Sequence, residues 1–295
     1  MELRHLHYFV AAAETLNFHK AAERLHVTQP SVSQQVRELE QELGLELFVR
    51  DLSRVRLTDH GRLLLTRANA VLREIRALVE AMSPSDDVPA GTLNLGVDIA
   101  LAKRVQGIIR EYARRYPRVE IQCYDNYSSG LHRSLQTGEV DVAFVWSPPA
   151  RGLVSQRVFD ERFSAVVPKA SPLAKRKQLL LTDLSGQVLL LPRPTNAFNL
   201  RVLRLCREAG VRFKVRYTQT FPHEAGVALV ESGRGIYVYP QVAVTMINSQ
   251  KGIAIVPLHR SLSMTVYMAW RKGETSAVAC KFLECARRHV TAFAS

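Results

Sequence analysis

A nine-residue stretch, SPSDDVPAG from Ser83 to Gly91, divides this chain into two segments that cannot share one architecture. Its prolines, serines and aspartates oppose continuation of either a helix or a strand. Ahead of it, apolar residues recur with the helical period, apart from one short piece. Behind it, continuous apolar runs alternate with amphipathic helical stretches. The full 295 residues also exceed the ~100–200 of a typical domain, so two or more units are expected. No apolar run reaches the ~18 residues of a membrane span. Four scattered cysteines without a CxxC pair fit free thiols in a reducing cytoplasm, rather than a disulfide framework or a zinc site.

In the first segment, Leu6, Phe9, Val10 and Ala13 form the inner stripe of a helix. Asn17 is placed to cap a second helix with Ala21, Ala22 and Leu25 inside. After a brief turn, Thr28 caps a third helix that tolerates Pro30 in its first turn. Val32, Val36, Leu39 and Leu43 share one face of it, and Gly44 ends it. The opposite face carries Gln29, Ser31, Ser33, Gln34 and Arg37. Gln pairs bidentately with adenine and Arg with guanine, while Ser reaches bases or phosphate. Two short helices and a tight turn, the second with such a face, make a helix-turn-helix. The plain alternative is a solvated face on a small helical bundle. ELFVRDLSRVRLT then reads as two short strands about Leu52–Arg54. Arg50, Arg54 and Arg56 sit there as on a wing contacting phosphate or the minor groove, or else as solvated arginines on a surface hairpin.

Net charge does not decide the matter. The chain carries +13, but residues 1–88 have two more acidic than basic residues, and the basic surplus of fifteen lies in 89–295. DNA binding by the first segment therefore has to rest on a local arrangement of side chains. Thr58 caps a long helix, about 59–82. Its Leu64, Ala68, Val71, Ile75, Leu78 and Met82 are spaced 4, 3, 4, 3, 4, a heptad seam. The same helix of a second subunit would cover it; the alternative is cover by the chain's own helices.

TQPSVSQQVRELEQELGLELFVR, Thr28 to Arg50, followed by LTDHG, Leu57 to Gly61, resembles the signature of LysR-type transcriptional regulators, as does the core KAAERLHVTQPSVSQ. The likeness is close over residues 1–61. Ser53 and Arg54 replace the family's usual Arg-Gly at the wing, and His60 replaces a small residue. The opening MELRHLHYFVAAAE resembles a branch that controls breakdown of aromatic compounds. The resemblance implies a cytoplasmic bacterial regulator, usually a dimer of dimers, that binds double-stranded DNA at an inverted repeat through Thr28, Gln29, Pro30, Ser31, Ser33, Gln34, Arg37 and the wing arginines. It implies an α/β multidomain fold: a winged helix-turn-helix at 1–58, a linker helix and hinge at 59–88, and a periplasmic-binding-protein-like effector domain. That domain would have one subdomain at 89–161 and 266–295 and a second at 162–265. The residues support this independently. TLNLGV, VEIQCY and VDVAFVW read as buried strands between amphipathic helices, hence a parallel sheet. RFSAVVP, QVLLLP, RFKVRYT and GIYVYP continue the pattern, and MTVYMAW with a helix near 276–293 leads back.

Ligands of parallel sheets bind beyond the strand C-termini, beside helix N-termini. Three such places are Asp98, Ile99 and Ala100 after Val97; Asn126, Tyr127, Ser128 and Ser129 after Tyr124; and Thr195, Asn196 and Phe198 before a helix near 196–209. The family's effector contacts fall at matching positions, which makes Ile99, Ala100, Tyr127, Ser128, Ser129, Thr195, Asn196 and Phe198 the effector-binding candidates. Many relatives have Ser or Thr where Ile99 stands. A small organic molecule, an anion or aromatic acid, is the expected effector, with its polar end on amides after Val97 and near Asn196 and its apolar part on Ile99 and Phe198. An enzyme or a solute-binding protein is the rival class. GxSxG, P-loop and HExxH patterns are absent, and no catalytic, metal or cofactor-binding residues are assigned. A redox-sensing alternative rests on Cys206. That residue matches the second cysteine of the family's peroxide sensors, but Ala197 occupies the place of the first. Cys280 and Cys285 read as packing residues.

Overall fold

The computed structural model describes residues 1–51, 54–82, 89–149, 151–192, 197–218, 224–244, 252–259, 262–274 and 276–294. The first segment folds as α1 (Leu3–Thr15), α2 (Phe18–Leu25), α3 (Gln29–Leu43), β1 (Phe48–Asp51), β2 (Arg54–Leu57) and α4 (Asp59–Met82). The Asn17 carboxamide accepts from the amides of His19 and Lys20, starting α2 as expected. His26 adopts the left-handed conformation, φ 55°, and closes α2 in a tight turn that sets α3 across it. Leu6, Phe9, Ala12, Ala21, Val32 and Val36 form the core. Leu43 does not join it: the chain turns away at Gly44, φ 66°, and leaves Leu43 38% exposed.

Two polar contacts fix the hairpin. The Glu40 carboxylate accepts from the amides of Leu47 (2.8 Å) and Phe48 (3.1 Å), tying β1 to α3. Thr58 Oγ1 donates to the Glu46 carbonyl and accepts from the Gly61 amide, capping α4. A Cβ on Gly61 would fall 2.2 Å from the Leu47 carbonyl oxygen, so only glycine lets α4 start this close to the hairpin.

The 24 residues of α4 span about 36 Å. The expected seam is not of one kind along this length. Ala68 is 1% exposed, and with Leu64, Leu65 and Leu72 it packs on the core of its own unit. Leu64 and Ala68 are thus taken by the chain itself. Val71 and Leu78 remain exposed, at 44% and 62%, with Ile75 half-buried between them. The side chain of Met82 lies outside the described residues.

The second segment builds β3 (Gly91–Asp98), α5 (Ala102–Arg115), β4 (Val119–Asn126), α6 (Ser128–Thr137), β5 (Val142–Val145) and β6 (Leu153–Pro168). It continues with β7 (Val188–Pro192), α7 (Ala197–Glu208), β8 (Lys214–Thr218), α8 (Glu224–Glu231), β9 (Ile236–Pro240), α9 (Gln241–Val244), β10 (Ile253–Pro257), β11 (Ser263–Arg271) and α10 (Ala277–Ala294). Among the described residues the strands run β4-β3-β5-β11-β6-β9-β7-β8, with β10 on β6. The expected parallel pairs are present, β3 with β4 and β5, and β7 with β8 and β9. Between them lies an antiparallel middle. β6 pairs with β11 from Leu153 to Arg162, then with β9 and β10 from Phe163 onward. One strand therefore serves both halves. On one side of the first half, α10 delivers Phe282 against Tyr112 and Phe144 at ring distances of 5.1 and 6.2 Å. α6 packs Leu131 and Leu135 against Val140, Ala143 and Val145, and also lies against α4.

A buried guanidinium closes this half. Arg271, at the end of β11, donates to the carbonyls of Leu135 and Val140 and to the carboxylates of Asp141 (3.2 Å) and Glu274 (2.5 Å). Asp141 in turn accepts from the backbone and side-chain nitrogens of Asn94. Removing one partner of such a group leaves charge stranded in the interior. Arg271→Met is expected to destabilise the chain by about 3–5 kcal/mol. Denaturant unfolding of the full chain measures this, and a loss below about 1 kcal/mol would refute it.

Candidate DNA-binding and effector sites

α3 has two unlike faces because its apolar residues repeat with the helical period. Val32, Val36 and Leu39 are fully buried, while Gln29, Pro30, Gln34 and Arg37 are exposed and Ser31 and Ser33 half-buried. Several polar side chains of the outer face order one another. Gln29 Nε2 donates to Ser33 Oγ (2.9 Å), and Gln34 and Gln35 donate to the Glu38 carboxylate. Thr28 sits at the N-cap position, but its hydroxyl bonds Ser31 Oγ (2.8 Å) instead of capping an amide. On the hairpin, Arg50 faces Val55 in register and Arg54 faces Asp51, and Arg56 is exposed. The side chains of Arg50 and Arg54, and the turn at 52–53, lie outside the described residues. Glu38 and Glu40 act as positioning residues that the sequence pattern does not single out. A signal for them exists: Glu38 and Glu40 are two of three acids in an otherwise glutamine- and serine-rich helix and need donors, and the nearby glutamines and hairpin amides provide them.

The effector candidates converge, but on one another. At the end of β3, Asp98 is 2% exposed. Its Oδ2 accepts from the Ser128 amide and hydroxyl, both at 2.8 Å; its Oδ1 accepts from Trp146 Nε1 (3.0 Å) and the Ala100 amide (3.4 Å). Ser128 Oγ then accepts from the Trp146 amide. One carboxylate thus joins the end of β3, the start of α6 and the residue after β5. Of the amides after Val97 expected to receive an effector's polar end, that of Ala100 is directed at Asp98. Phe198, at the start of α7, is 2% exposed and packs against Trp146, Phe163 and Tyr239 at ring distances of 5.2–5.8 Å. It is part of an aromatic wall linking the two halves of the sheet, not an open contact. Ile99 and Tyr127 are half-buried, Ala100 and Ser128 buried and Ser129 exposed. Thr195 and Asn196 lie outside the described residues. Asp98, which the sequence already places after Val97, is joined at this site by Trp146 and Tyr239, which the sequence pattern alone does not assign to it. A carboxylate directly after a buried strand is the sequence signal for Asp98.

Burial pushes the Asp98 carboxyl up to about 6, against the hydrogen bonds from Ser128, Ala100 and Trp146 that favour its ionised form. The Tyr239 phenol is raised too, by burial first and then by the Asp98 charge. A carboxyl whose folded value lies above its unfolded one stabilises the fold when protonated. That contribution is complete below about pH 4 and is lost as pH rises through about 6. Asp98→Asn removes this dependence. Lowering pH from about 7 to about 4.5 should therefore favour the wild type over the variant by on the order of 2 kcal/mol in relative unfolding free energy. Parallel stability curves for the two proteins would contradict the assignment.

Cys206, on α7, is 1% exposed, and burial pushes its thiol up to about 11. That holds sulfur in its unreactive protonated form. Cys285 is also buried, while Cys123 is exposed.

With this geometry in place, comparison with known proteins is direct. Residues 3–62 match the profile of the bacterial regulatory helix-turn-helix protein, lysR family, and residues 86–291 that of the LysR substrate binding domain. The chain is 29% identical over 276 residues to a hydrogen peroxide-inducible genes activator of Dickeya chrysanthemi, covering 92% of this chain and 90% of that protein. It is 31% identical to the HTH-type transcriptional regulator BudR of Raoultella terrigena, over 96% of this chain and 99% of that one. A full-length OxyR variant from Pseudomonas aeruginosa superposes with a TM-score of 0.76 at 28% identity, over 98% of this chain and 94% of that one. The winged helix-turn-helix, the linker helix and the two-part sheet are those of one family: this chain belongs to the LysR-type DNA-binding transcriptional regulators and carries that family's effector-binding domain.

Proposed function

We propose that this regulator reads an inverted-repeat operator with α3, pairs through the lower part of α4, and responds to a small organic molecule held between the halves of its effector domain. The two-faced α3 carries this reading: its apolar side is sunk in the core, and Gln29, Ser33, Gln34 and Arg37 stand on the other. Ser31 and Thr28 lie at the helix start, where phosphate is favoured. Arg50, Arg54 and Arg56 belong to the hairpin that follows it along the backbone. The role is regulatory rather than catalytic and is exercised in the bacterial cytoplasm. We read the effector domain as two subdomains, 89–161 with 266–295 and 162–265, a division supported by the change of β6 partners just beyond its first boundary, between Arg162 and Phe163.

A single unit of this size reads only one half-site, so two-fold pairing through α4 supplies the second. Val71, Ile75 and Leu78 support such pairing because the described residues of their own chain leave Val71 and Leu78 exposed. A dimer of dimers follows if the effector domains pair as well. The effector sits at the junction that the buried rings of Trp146, Phe198 and Tyr239 hold together, and these rings shape its site from beneath. A ligand that prefers one arrangement of the halves shifts the population, and with it the spacing of the DNA-binding units.

Operator titration at several salt concentrations tests the DNA reading. Arg37→Ala should cost about 1–3 kcal/mol and relax preference at one base pair, whereas Arg56→Ala should weaken all sequences alike and lower the salt slope by about one. Unchanged affinity and base preference in Arg37→Ala would remove α3 from the groove. For pairing, Val71→Asp combined with Ile75→Asp buries unpartnered charge in the seam. Sedimentation should show loss of the α4-mediated dimer, and an unaltered oligomer would place the seam elsewhere. For the effector, a thermal-shift hit that alters footprinting should bind Phe198→Ala at least tenfold more weakly; equal binding would move its site out of the cleft.

A further inference from the structure

We infer that Asp98 is a built-in carboxylate that fills the anion-binding donor set of the effector cleft, and so restricts this regulator to effectors that bring no carboxylate to that end of the cleft. The inference rests on the cleft reading above and names the chemical class that cleft accepts. The donor set is Ser128 N–H, Ser128 O–H, Trp146 Nε1–H and Ala100 N–H, and all four point at one carboxylate at 2.8–3.4 Å. Ser128 and Trp146 are each 2% exposed, so this is a formed interior site rather than a surface helix end. A carboxylate has about four lone-pair sites, so these four donors saturate it and it saturates them. A second carboxylate arriving here would meet no free donor and would stand against a buried like charge, which costs more in a low-dielectric interior than in water. Asp98 is held by neutral donors among the described residues, so its negative charge is not cancelled there. The neighbouring rings of Trp146, Phe198 and Tyr239 pack on one another and bring no further anion-binding donor set to this end of the cleft. An effector that presents an uncharged or cationic group beside an aromatic or aliphatic body fits these surroundings; an aromatic acid entering carboxylate-first does not.

The backbone at Asp98, φ −61° and ψ 130°, is open to any residue, so the side chain can be exchanged without strain in the main chain. Asp98→Gly removes the side-chain atoms that acetate replaces. The test is chemical rescue of the full chain at pH 7. Asp98→Gly should melt several degrees below wild type, and 100 mM acetate should restore at least half of that loss. Acetamide and chloride at equal concentration should not, and acetate should leave wild type unmoved. Asp98→Ala with formate is the second variant. If neither variant folds unaided, recovery of folded protein after refolding in acetate or formate against chloride gives the same reading. Rescue by acetate no greater than by acetamide would overturn the built-in carboxylate. So would a carboxylate hit on wild type whose affinity falls tenfold or more in Ser128→Ala. These outcomes are separable from the cleft reading: acetate rescue interrogates the donors alone, while loss of effector binding in Phe198→Ala interrogates the cleft. Successful rescue with effector binding untouched by Phe198→Ala would retain the internal anion and displace the effector.

Discussion

The pairing of β6 with β11 is the constraint from which the effector domain's layout follows. β6 is long enough to belong to two sheets, with partners exchanged between Arg162 and Phe163. Because both halves hang on the same strand, their strand C-termini come to one place and their helix starts face each other. That is why Ser128 of α6 and Phe198 of α7, seventy residues apart in sequence, reach a shared environment around Trp146. A register shift between Val266 and Tyr267 marks where β11 yields while following β6. Any change in the angle between the halves must bend these two strands, so opening the cleft is a strain on paired backbone rather than the swing of a loose loop.

The interior of that junction is unusual in its chemistry, since an ionisable group sits where the family's layout leads one to expect a ligand. Asp98 stabilises the junction by using donors that would otherwise be unmet, and it burdens the junction with a charge far from water. The balance between these effects explains why its carboxyl holds a proton to higher pH than an exposed one. Arg271 solves the opposite problem at the other end of the first half: a cation is neutralised by Asp141 and Glu274, with the carbonyls of Leu135 and Val140 accepting further hydrogen bonds from it.

The DNA-binding unit is legible in the sequence almost residue by residue. Its signals are local: Asn17 before an apolar helix, Gly44 after one, Thr58 before another, and a period of 3.6 between them. Buried parallel strands are legible for a related reason, since short apolar-rich segments such as TLNLGV, bounded by turn residues and alternating with amphipathic helices, read as strands of a covered sheet. The first part of β6 is not, because Ser155, Gln156 and Arg157 interrupt the apolar pattern and read as loop. β10 escapes because its five residues, IAIVP, carry too little pattern to separate strand from chance. The heptad of α4 is real as spacing, yet spacing does not say which partner covers it: Ala68 is covered by α1 and its neighbours, and Val71 is not. Asp98 can be noted but not weighed from sequence, because a carboxylate after a strand is equally a helix cap. Only the positions of Ser128 and Trp146, thirty and forty-eight residues on, distinguish the two.

The order of strands also sets an order in time. β5 is made early, but its neighbour on one side is β11, about 118 residues later in the chain. At a synthesis rate of about 5–20 residues per second, that neighbour arrives roughly 6–24 s after β5 leaves the ribosome tunnel. During that interval the wing and α3 already have all their core residues, while the first half of the effector domain has an unpaired, wholly apolar edge at Val142–Val145 and lacks Phe282 from its interior. Unpaired edges of this kind recruit other strands. The nascent chain therefore passes through a stage in which it holds a finished DNA-reading head and an unfinished, adhesive body, and its need for chaperone protection is concentrated in that stage.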